Sequence, residues 1–158
     1  MVIPNTLSTM LTGLETLPAA LAIAFARLSD ASFLVACLPD VESVVATADV
    51  ATCNKRSSLA FLSGTLHVTL TVVERKPERS ATFQMRAEGS GASSTTNTTL
   101  AFRGIDDATE IAWTADTVAV TGVLKIVPRT VLQAATQKVI AEVWLAIQTR
   151  FAATDPTP

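Results

Sequence analysis

Side chains able to do chemistry are scarce in this chain. Its 158 residues hold one histidine, His67, and two cysteines, Cys37 and Cys53. Nucleophilic catalysis needs an activated nucleophile beside a base that a third group orients. Alternation puts His67 with Thr65, Thr69 and Thr71 on the solvated face of a strand, so a dyad with either cysteine is disfavoured. One histidine and two widely spaced cysteines fall short of a zinc set. Two thiols are also too few for a disulfide framework, and both read as small buried hydrophobes. No phosphate loop or dinucleotide fingerprint occurs, because Gly89-Ser90-Gly91 lacks a following helix. The residues therefore call for no metal and no cofactor.

Charge is equally sparse. Lys, Arg, Asp and Glu make up 16% of the chain, with a formal net charge of -2, which gives no electrostatic case for nucleic acid. No apolar run is long enough to span a bilayer. The segment Met1–Ala26 has no Lys or Arg, and Glu15 and Pro18 interrupt it, so a secretory signal is not expected. A cytoplasmic location follows as the expectation, with peripheral contact at the inner face of the membrane left open. Apolar residues reach 49%. That surface must be hidden inside the domain, against a partner or around an apolar ligand; a dimer is permitted by this, though not implied.

The pattern of elements predicts an α+β fold. A first strand is expected near Asn5–Thr12. Pro18 suits a first helical turn, and Ala19–Leu28 carries Leu21, Phe25 and Leu28 on one face. Ser29-Asp30 can cap a second short helix, Phe33 to Leu38, that Pro39 stops before an acidic turn and a strand. Leu66, Val68, Leu70 and Val72 then alternate with polar residues, as do Phe83, Met85 and Ala87, Leu100 and Phe102, and Ile111, Trp113 and Ala115. Turns at Pro77-Glu78-Arg79, Gly89-Ser90-Gly91 and Gly104–Asp107 make this an antiparallel meander. The longest helix is expected over Val127–Ala152, with Val127, Val131, Ala135, Val139, Val143, Ile147 and Phe151 every fourth residue. One domain over residues 1–152 and a disordered tail at 153–158 complete the expected organisation.

Three segments carry a family resemblance. Ala36-Cys37-Leu38-Pro39 followed by Glu42-Ser43, Leu62-Ser63-Gly64-Thr65-Leu66, and Ala87-Glu88-Gly89-Ser90-Gly91 resemble signatures of the carbon monoxide dehydrogenase CoxG family, within the START-like, polyketide cyclase-like (SRPBCC) superfamily. Asp40 replaces the glycine usual after the proline, which predicts a turn conformation suited to a side chain. The resemblance implies a helix-grip fold, a curved antiparallel sheet around a long C-terminal helix, with an elongated apolar cavity between them. It also implies an accessory role beside a molybdenum-containing carbon monoxide dehydrogenase-type enzyme, in membrane recruitment and quinone handling. Longer members carry a C-terminal anchor, which the final Thr154–Pro158 leads one not to expect here.

The residues expected to face that interior are Leu66, Val68, Phe83, Met85, Leu100, Phe102 and Trp113 from strands, and Val131, Ala135, Val139 and Val143 from the last helix, with Phe33 and Leu38 as lids. Ala134 and Ala135 keep the helix slim at its centre. Pattern alone does not separate a hollow interior from a filled one. Arg86, Glu88, Arg103, Glu110 and Asp116 read as cross-strand pairs on the outer face, with Asp116 near a strand end and able to rim a cavity mouth. Three functions follow in rank. First comes a non-catalytic carrier of a lipophilic ligand, quinone or lipid-like. A structural adaptor recruiting a dehydrogenase is second, and a cyclase or hydratase using Asp116 or Glu88 third.

Overall fold

Strand alternation organises nearly the whole chain. The computed structural model describes residues 9–56, 64–89 and 91–153. In order these form β1 (Thr9–Leu17), α1 (Leu21–Leu28), α2 (Ala31–Ala36), β2 (Val41–Ala46), β3 (Val50–Arg56), β4 (Thr65–Lys76), β5 (Ser80–Gly89), β6 (Ala92–Ile105), β7 (Ala108–Thr121), a 3-10 turn at Gly122–Ile126, and α3 (Arg129–Ala153). The strands make one antiparallel sheet in the order β1-β7-β6-β5-β4-β3-β2. The sheet curves around α3, giving an α+β helix-grip architecture, and one core cluster joins it to α1, α2 and α3.

Register sets which side chains meet inside. Leu70, Met85, Thr96 and Thr117 stand opposite one another across β4 to β7, and Val72, Phe83, Thr98 and Ala115 form the next row. Leu100, Trp113 and Gly13 continue the series into β1. Residues between these rows point outward, where Arg103 of β6 meets its register partner Glu110 of β7 at 2.9 Å. A second charged pair on this face, Arg86 with Glu88, runs along β5 rather than across strands.

Several boundaries differ from those the sequence predicts. The first strand continues to Leu17, and residues 5–8 of its expected span lie outside the described residues. Its inner face carries Gly13 and Glu15 among Leu11 and Leu17, which hides the alternation. Pro18 precedes α1, whose N-cap is Ala20 in extended geometry. Asp30 does cap α2, accepting from Ser32 N at 2.9 Å, but the helix ends at Ala36 rather than at Leu38. The strand expected after Pro39 is β2, and β3 adds a second one to make a hairpin before the expected meander, with a bulge between Glu42 and Val45 in their pairing. The last helix starts at Arg129. Val127 is extended, as a residue before proline prefers, and the Pro128 carbonyl accepts from Val131 N and Leu132 N at 3.0 and 3.1 Å. Leu62 and Ser63 of the second family-like segment, Ser90 of the third, and the tail 154–158 lie outside the described residues.

An arginine fastens the sheet's far side to the short helices. Arg75 donates from Nε to the Ser29 carbonyl at 3.0 Å and from its terminal nitrogens to Asp49 Oδ1 at 2.6 Å and the Ala48 carbonyl at 2.7 Å. Its planar fork suits three acceptors at once.

The turn after Pro39 departs from expectation in an informative way. Asp40 adopts the left-handed region at φ 56, the geometry a glycine there would supply, while its carbonyl accepts from Arg56 N at 3.0 Å. Aspartate tolerates this region better than most residues because its side chain can bond locally. Asp40→Ala should therefore lower the unfolding free energy by about 1 kcal/mol, while Asp40→Gly leaves it unchanged or raises it by up to about 1 kcal/mol. Urea denaturation checks this, and a stabilising Asp40→Ala would contradict it.

Candidate functional site

The inward rows do not fill the space beneath α3. A cavity of about 170 Å³, partly open to solvent, lies between helix and sheet. Leu70 of β4, Phe83 and Met85 of β5, Thr96, Thr98 and Leu100 of β6, and Trp113 and Ala115 of β7 form its floor. Thr136, Val139, Ile140, Val143, Trp144 and Ile147 of α3 form the roof, and Leu34 and Leu38 close the end near α2. Among the described residues, no ionisable side chain stands in this wall.

Of the residues expected to face an interior, Leu38, Phe83, Met85, Leu100, Trp113, Val139 and Val143 stand in this wall. The others lie elsewhere. Val68 is buried in the surrounding core, and half-buried Leu66 packs against a smaller cluster around Ala92 and Leu124. Phe102 meets Phe25 of α1 edge-on, with ring centroids 5.3 Å apart. Phe33 is spent in the same way on Phe151 of α3, at 5.7 Å, with the Arg27 guanidinium 5.4 Å above the Phe151 ring.

Val131 is 43% exposed, and half-buried Ala135 stands outside the wall. The reason is helical geometry. A stripe of every fourth residue advances about 40° per step around an α-helix of 3.6 residues per turn. Five steps from buried Phe151 thus carry Val131 to the opposite side. The wall instead follows Thr136, Ile140, Val143 and Ile147, spaced four, three and four, a pattern readable once Thr136 counts as inward-facing. Thr96 and Thr98 escape notice because Thr95-Thr96-Asn97-Thr98-Thr99 is polar on both strand faces.

Trp113 is the pillar of the floor. Its indole lies against Gly13, its register partner on β1, where an added Cβ would sit 2.4 Å from the ring. Close by, Gln148 of α3 donates to Glu15 Oε1 of β1 at 2.9 Å. The Trp113 Nε1 is buried without a hydrogen-bond partner among the described residues. Gly13→Ala should overpack this contact and destabilise the protein by about 1–3 kcal/mol. Thermal unfolding checks the loss, and an unchanged melting temperature would contradict the close approach.

Ionisable groups stay away from the cavity. His67 is exposed on the outer face of β4, its Nδ1 3.3 Å from Asn54 Oδ1. Asp116 sits well inside β7, which continues to Thr121, opposite Asn97 and Met10. It alternates with inward Ala115 and so does not rim the mouth. Glu88 likewise pairs with Arg86 outside. Lys55 is buried on the inner face of β3, donating to the Arg56 carbonyl at 3.5 Å, and is not part of the wall. No cluster of three metal-ligating side chains exists among the described residues.

Burial pushes the Cys37 thiol up to about 11, against the opposing pull of the Arg150 charge, and burial likewise raises that of Cys53 against Lys55. The thiolate is the reactive form, so both cysteines should resist iodoacetamide at pH 8 in the native protein and react after denaturation. Mass spectrometry of the alkylated chain reads this directly, and rapid native labelling of Cys37 would refute it.

Comparison with known proteins agrees with this geometry. The family model for CoxG, a component of carbon monoxide dehydrogenase, matches residues 13–152. Among solved structures, a conserved protein from Geobacillus kaustophilus superposes with TM-score 0.78 at 18% identity, over 90% of this chain and 95% of that one. A START superfamily protein from Mycobacterium smegmatis gives 0.69 at 9% identity over 92% and 98%. A protein from Rhizobium loti gives 0.65 at 13% over 90% and 96%. These likenesses establish the fold. No curated protein matches the chain at a significant level.

Proposed function

This chain belongs to the carbon monoxide dehydrogenase CoxG family, and from that premise and the shape of its interior we propose that it is a non-catalytic carrier. It encloses a lipophilic molecule, quinone or lipid-like, in the service of a molybdenum-containing carbon monoxide dehydrogenase-type redox enzyme. The observation that carries this reading is the charge-free cavity of about 170 Å³ under α3. An engineered apolar cavity of roughly 150 Å³ stays dry and takes up benzene. This one has room for a single ring or a short length of chain, and a longer ligand would project through the open side. Binding would draw on apolar area removed from water, at about 25 cal/mol per Å².

The cyclase reading finds no support in the positions of Asp116 and Glu88, because neither lines the cavity. The adaptor reading has one observation in its favour: Leu145, 66% exposed on α3, leaves an apolar contact point on the outer side of the helix. We place the carrier in the cytoplasm, in contact with the inner membrane face when it loads. No helix among the described residues is long and apolar enough to cross a membrane. Residues 1–152 act in this reading as one domain.

Solvent extraction of the purified protein followed by mass spectrometry should release an apolar molecule in near-stoichiometric amount. Ala115→Phe or Val139→Phe, each filling the cavity from one side, should abolish that recovery while the far-ultraviolet circular dichroism stays unchanged. A wild-type protein that carries nothing and binds no added quinone or lipid would sink the carrier reading.

A further inference from the structure

The carrier's cavity is not uniform along its length. Thr96 and Thr98 occupy successive inward positions of β6 in an otherwise apolar floor, and Thr136 faces them from α3. The Ala92 end of β6 packs near Leu132, one turn before Thr136. At the opposite end, Phe33 of α2 meets Phe151 of α3. The hydroxyls therefore gather toward the N-terminal end of α3, while Leu34, Leu38, Trp144 and Ile147 gather toward its C-terminal end.

Two of these hydroxyls are unspent. Thr96 Oγ1 lies 3.1 Å from Thr117 Oγ1, which accounts for both groups. Thr98 and Thr136 make no side-chain hydrogen bond among the described residues. For Thr136 this is telling. A helical threonine commonly bonds back one turn, as Thr149 does to the Leu145 carbonyl at 2.8 Å. Neither oxygen is sealed from solvent, since Trp113 Nε1 is the only fully buried side-chain polar atom without a partner among the described residues, so both hydroxyls face the open space and can bond what enters it.

We infer that Thr98 and Thr136 form the polar pole of the cavity, and that its ligand is a neutral molecule whose carbonyl or hydroxyl oxygen docks there. This rests on the carrier reading and narrows it. The wall supplies no Lys, Arg or His to an anionic head group and no Asp or Glu to a cationic one among the described residues. An ionised group would lose its hydration there without a counter-charge. Buried Lys55, on β3, donates to its neighbour's carbonyl outside the wall. Ionised head groups are thus excluded from the cavity itself, whereas a ring or chain ending in a neutral oxygen is accommodated there.

The test uses three single-ring probes of nearly equal size, titrated calorimetrically into lipid-stripped protein: duroquinone, durene and 2,4,6-trimethylbenzoate. Wild-type protein should bind duroquinone at least about tenfold more tightly than the benzoate. Thr98→Val/Thr136→Val should weaken duroquinone about tenfold while durene binds as well or better. Should the double variant fold poorly, each single valine variant should show part of that loss, and Thr98→Ser should retain affinity. Equal loss or no loss for duroquinone and durene would overturn the polar pole and leave the carrier standing. Tighter binding of the benzoate would also overturn it, assigning an anionic head group instead. Failure of all three probes would remove the carrier reading together with this one.

Discussion

The interior is governed by how closely α3 can approach one strand. It packs against the sheet chiefly at β1, where Gln148 reaches Glu15 at 2.9 Å. At that strand the inner face carries Gly13, and the missing side chain admits the Trp113 indole. A helix of 25 residues is a rod of about 37 Å, and a curved sheet cannot meet a rod along its whole length. Contact at β1 leaves a gap above β4 to β6, and Trp113 and Trp144 narrow it without closing it. A larger residue at position 13 would shift the pillar, and the helix seat and the cavity would shift with it.

Polarity is divided sharply between the two faces of the sheet. Outside lie the pairs Arg86 with Glu88 and Arg103 with Glu110, in water, where such pairs contribute little stability. Inside, the polar groups lining the cavity are hydroxyls, which can bond a ligand without the desolvation cost of a charge. This division also explains the chain's low charge. A seven-stranded sheet with one solvated face needs few ionised side chains, and an apolar interior tolerates fewer.

Much of the fold is legible in the sequence because β4, β5 and β7 alternate cleanly and because turn residues separate them. Period alone places Phe83, Met85, Leu100 and Trp113 on the inner face of the sheet, where the structure has them lining the cavity. What escapes has identifiable causes. The β2–β3 hairpin is blurred by its bulge, and β1 by Gly13 and Glu15 on its inner face. Val131 follows a spacing of four that looks helical yet winds off the buried side, as its 43% exposure records. Thr96, Thr98 and Thr136 are the instructive omissions. A hydroxyl on an inward face carries no hydropathy signal, so the residues that give the cavity its direction are those a search for apolar periodicity passes over. Asp40 shows the reverse case, where a residue with a full side chain holds a left-handed turn.

The two tryptophans of the cavity wall have an optical consequence. The chain contains two tryptophans and no tyrosine, and both indoles, Trp113 and Trp144, stand in the cavity wall. Near-ultraviolet absorption and emission from this protein therefore come almost entirely from the surface that touches the enclosed space. The molecule is its own reporter: whatever enters or leaves beneath α3 changes the surroundings of every strong chromophore it possesses, and no background signal from elsewhere in the sequence dilutes that change.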